Sequence, residues 1–182
     1  MDNLEKEILK AASIKDDVLK KHLLVLGILS DELYALAKKR PILVGEGAVE
    51  FYTFGSYTTG DIDLAFEDRE LFGTVAGRAG FIRQGRHWYH PVLEVAVEIP
   101  ASALEEETAP LATAAVEGKI CVIIGIEDLI IDRLNAYVHW KSQSDGEWAK
   151  NLLDLNREKV NWTYLKAKAE KAQVLSALER IA

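Results

Sequence analysis

The segment Asp61-Ile62-Asp63-Leu64 alternates acid and aliphatic side chains with period two. In an extended strand, successive side chains leave opposite faces. Ile62 and Leu64 therefore share one face, and both carboxylates share the other. A half-buried strand needs this alternation. It calls for a core layer beneath the aliphatic face and an open face above the acids. Two carboxylates so close raise each other's cost of ionisation. A hard cation relieves that cost: Mg²⁺ takes one or two protein carboxylates and completes its shell with water and phosphate oxygens.

The flanking sequence supplies the rest of a mixed architecture. Residues 2–12 and about 15–39 carry helical spacing. In the second stretch Val18, Leu19, His22, Leu23, Leu26, Leu29, Leu33 and Leu36 recur mostly at three and four. Gly27 is the weak point of that helix. Lys38, Lys39 and Arg40 suit its C-terminal dipole and Pro41 ends it. Ile42-Leu43-Val44 reads as a short buried strand, Gly45-Glu46-Gly47 as a tight turn, and Ala48 to Phe54 as a short helix. Gly55 to Gly60 is a loop by composition.

Asp68 can cap a helix over about 69–79 that Gly80 closes. Phe81 to His90 and Val92 to Ile99 read as paired strands, with Pro100 stopping the second. Ala112–Val116 and Lys119–Ile124 pair across Glu117-Gly118. Ile126-Glu127-Asp128 opens a helix to about Trp140, Ser144 begins another to about Leu155, and a last helix runs from about Asn161 to Ile181. The pattern predicts an α+β fold, a mixed β-sheet flanked by helices. It divides into an N-terminal helical segment (1–40), an α/β core (41–125) and a C-terminal helical tail (126–182).

Composition narrows the class. No apolar run approaches the ~18 residues that a membrane-spanning helix needs. The N-terminus Met1-Asp2-Asn3-Leu4-Glu5-Lys6 is charged and mixed, unlike a signal peptide. The expected location is cytoplasmic. The lone Cys121 lies in Ile120-Cys121-Val122-Ile123-Ile124, where a buried thiol is expected. A net charge of −7 weighs against a broad nucleic-acid surface.

Upstream of the acids, a strand running through glycines into a short helix offers backbone N–H groups to phosphate. The hydroxyls of Thr58 and Thr59 add donors beside the carboxylates. Val44-Gly45-Glu46-Gly47-Ala48-Val49 followed by Thr59-Gly60-Asp61-Ile62-Asp63-Leu64 resembles the nucleotidyltransferase superfamily signature of a glycine pair, a spacer, then acid–hydrophobic–acid. The likeness is to the small prokaryotic branch that includes abortive-infection-type nucleotidyltransferase toxins. It continues in Ile126–Leu134 and Trp140–Asp145, and so covers roughly residues 41–155.

That resemblance implies a nucleotidyltransferase-like fold. It implies transfer of a nucleoside monophosphate from an NTP such as ATP to a hydroxyl of RNA, protein or a small molecule. Mg²⁺ would be the cofactor, with Mn²⁺ as a substitute. A toxin of this kind would have an antitoxin partner. The metal ligands would be Asp61, Asp63 and a third acid. Leu93–Ile99 presents Glu94 and Glu98 on one strand face; the resemblance favours Glu98, with Glu94 as the alternative. Gly45, Glu46, Gly47, Thr58 and Thr59 would line the nucleotide. Arg133 and Lys141 would hold its phosphates, and Asp145 would orient Lys141 or cap the next helix.

Glu46 departs from the signature, because it puts a bulky anion where the turn should approach phosphate. Gly47 compensates if the turn is shifted by one residue. The alternative reading is a catalytically impaired module that binds a nucleotide or a partner on the same fold. His87-Trp88-Tyr89-His90 reads as a strand with a stacking-capable edge. Trp140 and Trp148 read as helix-packing residues. Asp132 is set aside as a partner for Arg133, because adjacent helix residues diverge.

Overall fold

The protein is described by a computed structural model covering residues 2–182. Its elements are α1 (Asn3–Ile8), a 3₁₀ segment (Leu9–Ser13), α2 (Val18–Ala37), β1 (Ile42–Val44), α3 (Gly45–Tyr52), β2 (Asp61–Ala65) and α4 (Arg69–Arg78). A strand-rich stretch follows: β3 (Ile82–Gln84), β4 (His87–His90), β5 (Val95–Ala101), β6 (Ala112–Val116) and β7 (Lys119–Ile123). The chain closes with α5 (Ile126–His139), α6 (Gln143–Asn156), α7 (Trp162–Lys171) and α8 (Leu175–Ile181).

Seven strands form one mixed sheet in the order β3-β4-β5-β2-β1-β7-β6. β2 runs antiparallel to β1 and parallel to β5, and β1 runs parallel to β7. This is the α+β arrangement that the sequence predicts. The acid strand β2 lies at the sheet's centre rather than its edge. Its burial follows the alternation: Ile62 and Leu64 are buried, while Asp61 and Asp63 are half-buried.

One hydrophobic core runs from Leu4 through the sheet to Leu178. α2 packs along β7 and β6. Gly27, a weak point by helix propensity, has a packing reason: a Cβ there would lie 2.6 Å from the Lys119 Cβ on β7. α2 ends at Ala37, where Lys38 turns into the left-handed region (φ +58°). The stop therefore precedes Pro41. Cys121 is fully buried, its thiol donating to the Leu23 carbonyl at 3.1 Å, and burial pushes that thiol up to about 12.

Beneath the sheet's centre, His22 of α2 and Glu50 of α3 form a buried pair at 2.8 Å. The second Glu50 oxygen is buried without a partner. Breaking such a pair leaves a further buried polar atom without a partner, so it pins α3 to α2. Two residues beyond Glu50, at the last residue of α3, the Asn156 side chain donates to the Tyr52 carbonyl at 3.0 Å.

Several boundaries differ from the sequence reading, each for a physical reason. α3 starts at Gly45 with no intervening turn. Pro100 lies inside β5 rather than ending it. It sits where the β2–β5 register shifts between Asp63 and Ala65, a place where a missing N–H costs no ladder bond. The final helix is broken into α7 and α8 at Gln173, which takes φ +60°. Among the described residues no helix is long and apolar enough to cross a membrane.

Candidate active site

The sheet register gathers polar side chains into rows on one face. Cross-strand partners share a face. His87 of β4 is opposite Glu98 of β5, Glu98 is opposite Asp63, and Asp63 is opposite Val44. The adjacent row runs Tyr89, Ala96, Asp61. Asp61, Asp63 and Glu98 therefore stand on one face, on neighbouring parallel strands. Glu94 does not join them. It precedes β5 in a turn, at φ +54°, and is exposed. Period-two alternation does not reach Glu94, because β5 begins one residue later, at Val95.

Asp63 is the pivot. Its Oδ2 accepts the Glu46 N–H at 3.2 Å. Val44, the N-cap of α3, has no side-chain cap of its own, so Asp63 serves as the capping anion at this helix N-terminus. Gly45 makes the approach feasible. Its φ is +55°, and a Cβ there would fall 2.6 Å from Asp63 Oδ2. One of the N–H groups that the sequence reading assigns to phosphate, that of Glu46, is thus engaged by Asp63. Burial raises the Asp63 carboxyl above its usual range; the Glu46 N–H opposes this, and the Glu46, Glu98 and Asp61 carboxylates add to it. Asp63 consequently holds a proton more readily than an ordinary carboxylate.

Glu46 points its carboxylate at the Thr59 hydroxyl, which donates to it at 3.2 Å. The same Thr59 oxygen accepts the Asp61 N–H at 3.2 Å. Thr59 thus links α3 to the start of β2, whereas Thr58 is exposed in the loop. Tyr57 stands beside Glu46, with its hydroxyl pKa raised by burial and then by that carboxylate. Its ring meets Trp148 edge-on at 4.6 Å, which makes Trp148 a packing residue as expected. Trp140 is not one: it is 80% exposed.

From the helical side comes Arg133 of α5. Its two terminal nitrogens bind Asp145 at 2.7 Å and Asp132 at 2.6 Å, and its Nε is buried without a partner. Burial would lower its basicity, but the Asp132 and Asp145 carboxylates, with Glu46 further off, raise it on balance. Two sequence expectations are corrected here. Asp132 does pair with Arg133, because a long guanidinium side chain reaches back where a short one cannot. Asp145 holds Arg133, and accepts from Ser142 Oγ at 2.5 Å, rather than orienting Lys141. Lys141 sits at φ +61°, and its amine donates to the Val138 carbonyl at 2.9 Å, closing α5.

Glu98 is already paired. Its Oε1 lies 3.0 Å from Arg86 Nε, and its Oε2 lies 3.5 Å from His87 Nδ1. Among the described residues no three His, Cys, Asp or Glu side chains converge as a ready-made metal cage. The donor set that remains is the Asp61–Asp63 pair, with Glu98 as an acid paired to Arg86. A pair suits Mg²⁺, which leaves the rest of its shell to water and phosphate. Arg86 and Tyr57 escaped the sequence reading. The only local signal for Arg86 was Gly85, which takes φ +62° in the two-residue turn between β3 and β4.

No family model matches the chain, and no curated protein matches it in sequence. Among solved structures it is similar to an antigenic nucleotidyltransferase-like protein from Paracoccidioides brasiliensis. The two share 17% identity with a TM-score of 0.60, over 90% of this chain and 93% of that one. The chain therefore has a nucleotidyltransferase-like fold. The likeness is one of architecture over nearly the whole length of both proteins.

Proposed function

We propose that this chain is a metal-dependent nucleotidyltransferase that moves a nucleoside monophosphate from an NTP to a hydroxyl acceptor. The observation that carries the reading is the placement of Asp61 and Asp63 on one face of the central strand, with Asp63 at the N-terminus of α3 and in register with Glu98.

A divalent ion, Mg²⁺ or Mn²⁺ in its place, would be held by Asp61 and Asp63, and by Glu98 once that side chain parts from Arg86. When bound, it neutralises phosphate charge and activates the attacking oxygen. The chain's own residues do the rest. Thr59 and the first turn of α3 border the phosphates. Arg133 adds a fixed positive charge whose orientation Asp132 and Asp145 set, of use where charge builds in the transition state. The acceptor oxygen bonds to the α-phosphorus as the bond to the β-bridging oxygen breaks. Pyrophosphate leaves, and the hydroxyl proton passes to a carboxylate of the acid face.

The test uses labelled NTPs with Mg²⁺ and RNA, protein and small-molecule fractions as acceptors. Transfer should appear in one fraction and vanish in Asp61→Asn/Asp63→Asn. Transfer that persists in that variant would refute the site. If the chain is the toxin of a pair, its expression arrests growth and the same double substitution abolishes the arrest.

One observation favours a second reading. Glu46 places an anion in the first turn of α3, against the Thr59 hydroxyl. That suits a module that binds a nucleotide or a partner without transfer. Metal-dependent NTP binding with no labelled product from any acceptor would select it.

A further inference from the structure

Arg86 lies at the tip of the β3–β4 hairpin, and its side chain is 74% exposed. Only its Nε is engaged, at 3.0 Å from Glu98 Oε1 and 3.3 Å from His87 Nε2. Among the described residues neither terminal nitrogen has a partner. A guanidinium fork thus stands open beside the acid face, tethered through a single nitrogen. Forks of this kind suit phosphate, which they bind through two parallel N–H donors. Glu98 meanwhile is the acid that register places next to Asp63. A carboxylate oxygen donated to a cation is no longer free to hold Arg86 equally well. Whatever draws Glu98 toward Asp61 and Asp63 releases Arg86 beside the acid face.

We propose that Arg86 is an exchange residue, which neutralises Glu98 while the acid face is empty and transfers to the phosphates of the nucleotide when Glu98 turns to a divalent ion. The proposal rests on the metal and nucleotide reading of this site, and it names a phosphate-binding residue outside the sequence motif. Its signature is a pair of effects of opposite sign. Arg86 competes with metal for Glu98, so losing it should tighten metal binding. Arg86 contacts phosphate in the loaded site, so losing it should weaken nucleotide binding. A residue that merely steadied the hairpin would weaken both. The substitution is not expected to unfold the protein, because the side chain is exposed at a turn.

Mn²⁺ titrations followed by electron paramagnetic resonance give the metal affinity. Calorimetric titration of α,β-methylene-ATP at saturating Mn²⁺ gives the nucleotide affinity. For Arg86→Gln we expect Mn²⁺ to bind about two- to fivefold more tightly, the scale of an exposed ion pair. We expect the nucleotide to bind about tenfold more weakly, the scale of a hydrogen bond to a charged group. Arg86→Lys keeps the charge and loses the fork. It should hold Mn²⁺ affinity near wild type and recover only part of the nucleotide affinity. Unchanged Mn²⁺ affinity in Arg86→Gln, or a change of both affinities in the same direction, overturns the exchange while leaving the metal site standing. Absence of Mn²⁺ binding in the wild-type protein removes the metal reading, and the exchange with it.

Discussion

Gly45→Ala isolates the contact on which the acid face is built. Two costs arise, and the structure separates them. The first is backbone: at φ +55° an alanine occupies the left-handed region, at about 1–2 kcal/mol. The second is steric: the new Cβ would lie 2.6 Å from Asp63 Oδ2 and 3.1 Å from its Cγ and Cβ. Overpacking of this kind costs about 1–3 kcal/mol. The sum, about 2–5 kcal/mol, corresponds to a fall in Tm of roughly 5–15 °C for a chain of this size.

Urea unfolding of Gly45→Ala, Asp63→Ala and the double variant apportions the two. Asp63→Ala removes Cγ and Oδ2, so most of the steric cost should fall away in the double variant, while the backbone cost and the 3.1 Å Cβ contact persist. The coupling energy should be about 1–3 kcal/mol. Additivity within about 0.3 kcal/mol would mean that Gly45 and Asp63 do not touch in the way described, and the capped α3 N-terminus would lose its basis.

Further outcomes follow from the same geometry. Because burial and neighbouring acids raise the Asp63 carboxyl, its protonated form favours the fold. That contribution is complete below the unfolded-chain value and is lost as pH climbs through the folded value. Asp63→Asn should therefore gain stability over wild type as pH rises above the ordinary carboxylate range, and urea unfolding from pH 4 to 7 would read the widening gap. Asp145→Ala leaves the Arg133 side chain, itself only 17% exposed, with one acid; a loss of about 2–4 kcal/mol is expected by urea unfolding. Lys141→Gly relieves a left-handed lysine and should stabilise the protein by about 1 kcal/mol. Calorimetry of that variant with α,β-methylene-ATP should show affinity near wild type, since the Lys141 amine is spent on the end of α5.

What the sequence made legible is local. The acid strand is readable because alternation is a property of four adjacent residues. The β6–β7 hairpin is readable because Glu117-Gly118 marks its turn; both residues take positive φ. Asp68 is readable as a cap, and it accepts the Leu71 N–H at 2.9 Å. What escaped depends on packing between distant segments. Nothing near Glu50 announces His22 as its partner, 28 positions away. Arg133 belongs to Asp145 only because α5 and α6 fold back on each other. Trp140 looks like core by type, yet it falls where α5 ends and nothing covers it. Pro100 reads as a stop until the β2–β5 register shift provides a place for it. Arg86 reaches Glu98 through strand pairing, a relation that no local spacing encodes.

The proposed function requires Asp61 and Asp63 to form a divalent-cation site serving a nucleoside triphosphate. Mn²⁺ titration of the wild-type protein and of Asp61→Asn/Asp63→Asn, each with and without α,β-methylene-ATP, tests it most directly. Wild type should show saturable Mn²⁺ binding that the nucleotide strengthens, and the double variant should lose it while the fold is retained. Equal Mn²⁺ binding in both proteins, or none in the wild type with nucleotide present, would contradict it.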